Sequence, residues 1–324
     1  MRAPSFWQHD GVLPALLSPL SCLYAAATAR RVARPGWRAA VPVICCGNAT
    51  AGGTGKTTVA LDIGVRLVAR GKPVAFLTRG YGSRIVEPVR VDPDRHGARD
   101  VGDEALLLAA VAPTIVCPDR GAGARAAVAE GAKVLVMDDG LQSPSLVRDF
   151  SMLVIDGASG FGNRRVIPAG PLREPVAAAA ARCQAAVIIG EDCHGATAML
   201  PPGLPVLRAE LRSAAAVEAL RGGPVLAFAG IGRPGKFFDT LASAGLTLAG
   251  RMAFPDHHPY SAMDVQRVLD EARRLGATPV TTPKDAVRLP EPARGMVSVV
   301  GVDLVWQDPA ALEALLDRVV GART

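Results

Sequence analysis

The run GNATAGGTGKTT, residues 47–58, gathers glycines, a lysine and threonines in the pattern of an anion-binding turn. Glycines let backbone N–H groups converge on an anion with no Cβ in the way, and a lysine can reach the outer phosphates of a nucleotide. The strict phosphate-loop pattern asks for Gly, four residues, then Gly-Lys-Ser/Thr. Gly55, Lys56 and Thr57 supply its end, but Thr50 stands where its first glycine would be. Asn48, Gly52 and Gly53 lie close enough to absorb the lost turn freedom. An ordinary Gly-rich strand–helix turn has no need of Lys-Thr after its last glycine. A variant nucleotide loop is therefore expected, with Thr50, Ala51, Gly52, Gly53, Thr54, Gly55, Lys56, Thr57 and Thr58 around the phosphates and the Thr57 hydroxyl on Mg²⁺.

Phosphoryl transfer needs more than a cradle. A carboxylate at the end of a buried strand near such a loop is the usual second Mg²⁺ holder. VLVMDDG offers Asp138 first and Asp139 second, and Asp156 after SMLVI competes. Asp is also common in turns after strands, which is the plainer reading of all three. A group must also take or orient the proton of the accepting hydroxyl. Asp103 opens the helical pattern of GDEALLL, where its pattern alone reads as an N-cap. His257 and His258 in FPDHHPY read, on pattern alone, as a polar loop before a helix. FGNRRVIPAGPLREP (161–175) is too apolar and basic for a linker, so Asn163, Arg173 and Glu174 are expected at a substrate wall. TRGYGSR (78–84) follows a strand end, where ligands sit in such sheets.

These residues need elements to hold them. Strand-like runs alternate with helix-like runs along all 324 residues: 41–46, 73–78, 133–140, 151–157, 185–190 and 224–230 read as strands, and 56–70, 103–111, 234–244, 263–276 and 309–320 as helices. Val265, Val268, Leu269, Ala272 and Leu275 share one helical stripe. The alternation predicts an α/β fold with a parallel sheet covered by helices, and too many strands for one sheet. Expected domains are an N-terminal membrane-associating segment (1–40), a phosphate-loop nucleotide-binding domain (41–212) and a smaller C-terminal α/β domain (213–324).

The chain is 49% apolar and 20% charged, so a sizeable core is available and wholesale disorder is excluded. Its net charge of +6, mostly arginine, suits phosphate-bearing or anionic-membrane partners. Aromatics are 4% and are not interleaved with arginines, which speaks against nucleic acid. The six cysteines form no C-x-x-C pair, so neither a disulfide framework nor a zinc site is expected and a reducing cytosol fits. Residues 11–29 carry no charge and precede Arg30, Arg31, Arg34 and Arg38. An interfacial helix on anionic lipid and a helix packed on the protein's own core both fit. A cleaved signal or a spanning helix fits less well, given Asp10, Pro14 and Pro19.

Taken in order, GNATAGGTGKTT, TRGYG, GDEALLL, DDGLQ, FGN-x-x-x-x-PAGPLREP, FAGIGRPGKFF, FPDHHPYS and TPKDAVRL resemble the tetraacyldisaccharide 4′-kinase family of lipid A biosynthesis. The resemblance spans about residues 10–300, and that family also carries Thr at the first loop position. It implies two Rossmann-like α/β domains (the first P-loop NTPase-like) with the active site in the cleft between them. It implies ATP and Mg²⁺ as cofactors. The implied acceptor is an acylated disaccharide 1-phosphate lipid, phosphorylated at its 4′-hydroxyl to give lipid IVA. It places the chain on the cytoplasmic face of the bacterial inner membrane, against the membrane surface, with no obligate protein partner. Asp103 and His257 match a catalytic dyad, Asp138 a carboxylate near the metal, and Glu174 a carboxylate near the reacting centre. The chain departs from the family at Thr58 and Ala105, where Pro is usual, and at Arg164, where Gly is usual; the last puts substrate contacts of that loop in doubt. The other class considered is a GTPase of the nucleotide-switch or metal-chaperone type. Its guanine-reading motif has only TPKD (282–285) to match it here, at the wrong spacing.

Overall fold

The computed structural model describes residues 4–213 and 215–321. After α1 (Val12–Val32) comes β1 (Val43–Gly47), buried at every residue, then α2 (Lys56–Ala69). The chain continues through β2 (Val74–Thr78), β3 (Val89–Arg90), α3 (Ala98–Val101), α4 (Asp103–Ala109), β4 (Thr114–Val116), α5 (Arg120–Ala129) and β5 (Val134–Asp138). β6 (Phe150–Asp156), α6 (Val176–Ala180), β7 (Ala185–Ile189) and β8 (Val206–Ser213) complete this stretch. A second unit follows: β9 (Pro224–Ala229), α7 (Pro234–Ser243), β10 (Thr247–Ala253), α8 (Ala262–Arg274), β11 (Thr278–Thr281), α9 (Pro283–Ala286), α10 (Glu291–Arg294) and β12 (Ser298–Val299). β13 (Val302–Trp306) and α11 (Pro309–Gly321) end the described chain.

Nine strands form the first sheet in the order β13-β8-β7-β6-β1-β5-β2-β4-β3. The seven inner strands are parallel and only the edge strands β13 and β3 run antiparallel. β1, β5, β6 and β7 are buried on both faces, which is why they read as unbroken apolar runs. β1 lies between β5 and β6, so the order reverses there, and a crevice opens at the carboxyl ends of those strands. The second sheet, β10-β9-β11-β12, is wholly parallel. α8 starts with a capping box: Ser261 Oγ accepts from Asp264 N at 3.1 Å, and Asp264 accepts from Ser261 N at 3.0 Å. Its buried Val265, Val268 and Ala272 are the expected stripe.

The expected 213–324 domain needs correction. The chain does leave the large sheet after Ser213, but it comes back: β13 pairs antiparallel with β8. Leu312, Leu315 and Leu316 of α11 join Val59, Ile63 and Leu67 of α2 in the main core. Trp306 Nε1 donates to Asp62 Oδ2 at 2.8 Å, and Arg66 pairs with Glu313. An apolar helix is buried by whichever face offers it cover, and that face belongs to the first domain; the smaller domain ends near residue 299.

In α1 only Pro14, Ser21 and Thr28 are buried, while Val12, Leu16, Leu20 and Leu23 are exposed. The helix is therefore tethered along one line rather than packed into the core. Ser21 Oγ donates to Val166 O at 2.6 Å and accepts from Ala169 N at 3.1 Å. Trp7 Nε1 donates to Pro168 O at 3.0 Å, and Arg165 pairs with Asp10 at 2.9 Å.

Candidate active site

β1 delivers the phosphate loop into the crevice, and α2 begins at Lys56. Gly55 has φ +85°, a left-handed conformation that favours glycine, and a Cβ there would also have to displace Ile189 Cδ1, 2.6 Å away. Thr50 has no such need. It is not left-handed; it forms a bridge with Leu172, while Ala51 N donates to Pro171 O at 2.7 Å and Arg173 N to Ala49 O at 2.7 Å. The first half of the loop is thus zipped to residues 171–173 like a short strand pair, where a β-branched residue fits better than glycine.

Asp138 ends β5 beside the loop, fully enclosed, and accepts from Thr57 Oγ1 at 2.9 Å. Burial pushes its carboxyl up to about 6, against the pull of Lys56. Its Oδ1 is buried without a hydrogen-bond partner among the described residues. An orphaned carboxylate oxygen next to a threonine hydroxyl is the donor chemistry a hard divalent cation takes, so the residues fit Mg²⁺. Asp139 is engaged differently. It sits at φ +53°, 3.7 Å from Lys56 Nζ, and accepts from Arg173 Nη1 at 2.8 Å. Burial raises it, but Lys56 and then Arg173 outweigh that and hold it below the usual range. Asp156 is bound by Arg233 at 2.5 Å. Of the three expected carboxylates, Asp138 is the one with a buried oxygen left unpartnered among the described residues.

The expected substrate wall is mostly a supporting frame. Glu174 is 3% exposed and takes both of its 2.7 Å bonds from Arg182 Nη2, plus one from Gln142 Nε2 at 2.8 Å. Gln142 also donates to Asn48 O at 2.9 Å, so Glu174 acts on the loop through it. Asn163 corrects the expectation most clearly. It is buried, and its amide donates to Phe6 O, His9 O and Ala169 O at 3.2, 3.4 and 2.9 Å. The carbonyls of Phe6 and His9 belong to the N-terminal segment, so the side chain helps hold that segment down. Asn163→Ala is expected to lower the melting temperature and speed protease cleavage ahead of α1, because each hydrogen bond lost costs about 0.5–1.5 kcal/mol. A wild-type cleavage rate in limited proteolysis would contradict this.

Across the crevice, Asp103 opens α4, is 5% exposed, and meets two side chains from the second domain. His257 Nδ1 donates to its Oδ2 at 2.9 Å, and Arg288 Nε stands 3.2 Å from the same oxygen. Oδ1 takes no hydrogen bond among the described residues. His257 has φ +56°, costly for a residue with a Cβ, and its N–H is held by Gly230 O at 3.0 Å. Lys284 Nζ donates to Glu104 Oε1 at 2.6 Å, a second charged link between the domains. The charges of Asp138 and Asp103 also favour the cationic form of Lys284, so these groups share one field. TPKD is accounted for here: Asp285 is fully buried and accepts from Gly230 N, Tyr260 Oη, Thr282 Oγ1 and Arg288 Nη2, leaving nothing to read a guanine.

The hydrogen bond that His257 donates to Asp103 raises the histidine pKa above its ordinary 6.5, with burial opposing and Asp103 charge adding. A raised histidine pKa means stability that is fully present below the unfolded value and lost as pH rises through the folded one. The melting-temperature gap between wild type and His257→Gln should be widest in mildly acidic buffer and close above the raised pKa. A gap that widens with rising pH would sink the pairing.

Sequence reasoning missed Arg288, Lys284, Gln142 and Arg233. Each lies in a quoted motif, but each reaches a partner 94 to 185 residues away along the chain, and no local spacing signals such a partner.

The chain is similar to known proteins along almost its whole length. The model of the family described as tetraacyldisaccharide-1-P 4′-kinase matches residues 13–321. A tetraacyldisaccharide 4′-kinase of Gluconacetobacter diazotrophicus is 60% identical over 319 residues, 98% of each chain. One from Rhodospirillum rubrum is 52% identical, covering 100% of this chain and 99% of its own. Among solved structures, LpxK from Aquifex aeolicus in complex with ATP superposes with a TM-score of 0.78 at 26% identity, covering 95% of this chain and 100% of its own.

Proposed function

This chain belongs to the tetraacyldisaccharide-1-P 4′-kinase family, and from that membership we propose how its residues divide the work of the reaction. The activity is ATP-dependent phosphorylation in lipid A biosynthesis: the γ-phosphate of ATP passes to the 4′-hydroxyl of a tetraacylated glucosamine disaccharide 1-phosphate, giving lipid IVA. The observation that carries the assignment of roles is the clamp on Asp103, whose Oδ2 is fixed from the second domain while Oδ1 stays open.

In that reading Asp103 Oδ1 accepts the proton of the 4′-hydroxyl as its oxygen attacks the γ-phosphorus in line. His257 and Arg288 orient the carboxylate. The bond from the γ-phosphorus to the bridging oxygen breaks, and ADP leaves. Lys56 turns from Asp139 to the β- and γ-phosphates and offsets the charge spread over their oxygens. Mg²⁺ entering with ATP would be held by Thr57 and Asp138, and would supply positive charge that offsets the negative charge of the phosphates. Arg173 keeps Asp139 in place when Lys56 moves.

α1 meets the bilayer on its cytoplasmic side. Its exposed Val12, Leu16, Leu20 and Leu23 suit acyl chains, and exposed Arg30, Arg31, Arg34 and Arg38 suit anionic headgroups. The expected domain plan stands in this proposal with its C-terminal limit revised: 41–213 with 302–321 forms the kinase domain, and the residues between form its smaller partner.

The test is transfer of labelled γ-phosphate to a detergent-dispersed tetraacyl disaccharide 1-phosphate, with GTP and a deacylated sugar alongside. Label should enter the lipid from ATP, require Mg²⁺, and fail to enter the deacylated sugar. Label appearing without Mg²⁺, or equally in the deacylated sugar, would remove the metal or the lipid-docking role respectively.

A further inference from the structure

The second domain also touches the phosphate loop itself, at a place the mechanism above does not use. Arg233, immediately before α7, donates through Nη2 to Gly53 O at 3.1 Å and to Asp156 Oδ2 at 2.5 Å. Lys236 Nζ stands 3.7 Å from Asp156 Oδ1. Asp156 is 3% exposed at the end of β6, directly beside β1, and also accepts from Ser159 Oγ at 3.1 Å. A rigid carboxylate of the first domain thus aims a guanidinium of the second at one carbonyl of the loop.

That carbonyl matters because the peptide is planar and trans. Gly53 O and Thr54 N–H point in opposite directions across it. With the oxygen held toward Arg233, the N–H of Thr54 points away from it. Little else fixes this peptide. Gly52 has φ +130°, and a Cβ at Gly52 or Gly53 would meet nothing within 4 Å. The preceding carbonyl, Gly52 O, is held from within the first domain by Asn48 Nδ2 at 3.3 Å. Gly53 O accepts from Arg233 alone among the described residues. Thr54 is buried with its Oγ1 unpartnered, so its side chain offers no competing anchor within the protein.

We propose that Arg233 is a positioning residue for ATP: it sets the Gly53–Thr54 peptide so that the Thr54 N–H faces the phosphates, making the loop competent only when the second domain is docked. The proposal rests on the kinase reading for its ligand. Arg233 lines a cleft of about 1000 Å³ between the domains and its side chain is half exposed, so its replacement should leave the fold intact.

The experiment measures ATP dissociation constants by displacement of a fluorescent ATP analogue, together with kcat and the KM values for ATP and lipid. Loss of a charged hydrogen bond corresponds to roughly a tenfold to hundredfold weakening. Arg233→Ala is expected to weaken ATP by that factor and leave the lipid KM unchanged, with faster hydrogen exchange at the Thr54 amide. Arg233→Lys, which keeps a donor for Gly53 O, should recover part of the loss. Lys236→Ala loosens the same Asp156 contact without touching the loop and should bind ATP within about twofold of wild type. Wild-type affinity in Arg233→Ala, or an equal loss in Lys236→Ala, overturns the proposal and leaves only a domain anchor. If the wild-type chain itself bound no ATP, the kinase reading would fail first.

Discussion

Asp103→Asn should lower kcat by about 10²- to 10⁴-fold, the usual contribution of a positioned proton acceptor, while ATP affinity should stay near wild type. Asparagine keeps the shape and can still accept from His257 Nδ1, so the domain contact at 2.9 Å survives. It cannot take a proton from the sugar hydroxyl. It also removes one negative charge beside Arg288, whose side chain is 4% exposed. Arg288 retains Asp285 at 3.1 Å, and so some stability is lost without collapse. The informative comparison is His257→Gln, which leaves the carboxylate but weakens its aim. A smaller loss of kcat there than in Asp103→Asn assigns the proton to Asp103. A larger loss would move the base to His257.

Lys56→Ala should lower kcat by about 10²- to 10³-fold, the scale expected when one preorganised electrostatic donor is removed from a transition state. The fold should tolerate it, since Lys56 begins α2 and makes one ion pair, at 3.7 Å to Asp139. That pair has a consequence of its own. With Lys56 gone, Asp139 loses the largest of the charges that hold its carboxyl low, leaving Arg173 as its main partner. Lys56→Arg keeps the charge, but a forked guanidinium does not place it where the ammonium sits, so only partial recovery is expected. Single-turnover transfer of labelled phosphate to the lipid measures the effect. Turnover within a few fold of wild type in Lys56→Ala would strip the lysine of its assigned role.

Much of this protein could be read from its order of residues. The strands show as apolar runs because a parallel sheet covered on both sides buries both faces of each strand, as at β1 and β5. The loop shows because Gly55-Lys56-Thr57 is a local demand: a left-handed turn, a reaching cation and a hydroxyl within three residues. Asp138 shows because a strand end next to such a loop is a predictable place for a carboxylate.

Tertiary structure decided what depended on partners far apart. Asp103 alone looks like a helix cap; only folding brings His257 and Arg288 to it from 154 and 185 residues away and makes its burial useful. Asn163 and Glu174 look like substrate residues by composition, yet packing turns both inward, one onto the N-terminal segment and one onto Arg182. The last helix looks like part of the second domain because it follows it, but its apolar stripe finds cover on α2. Local chemistry fixes which groups are present and how a single turn must bend. Which of them end up buried, paired or open depends on long-range burial and charge pairing, and those are settled only when the whole chain has packed.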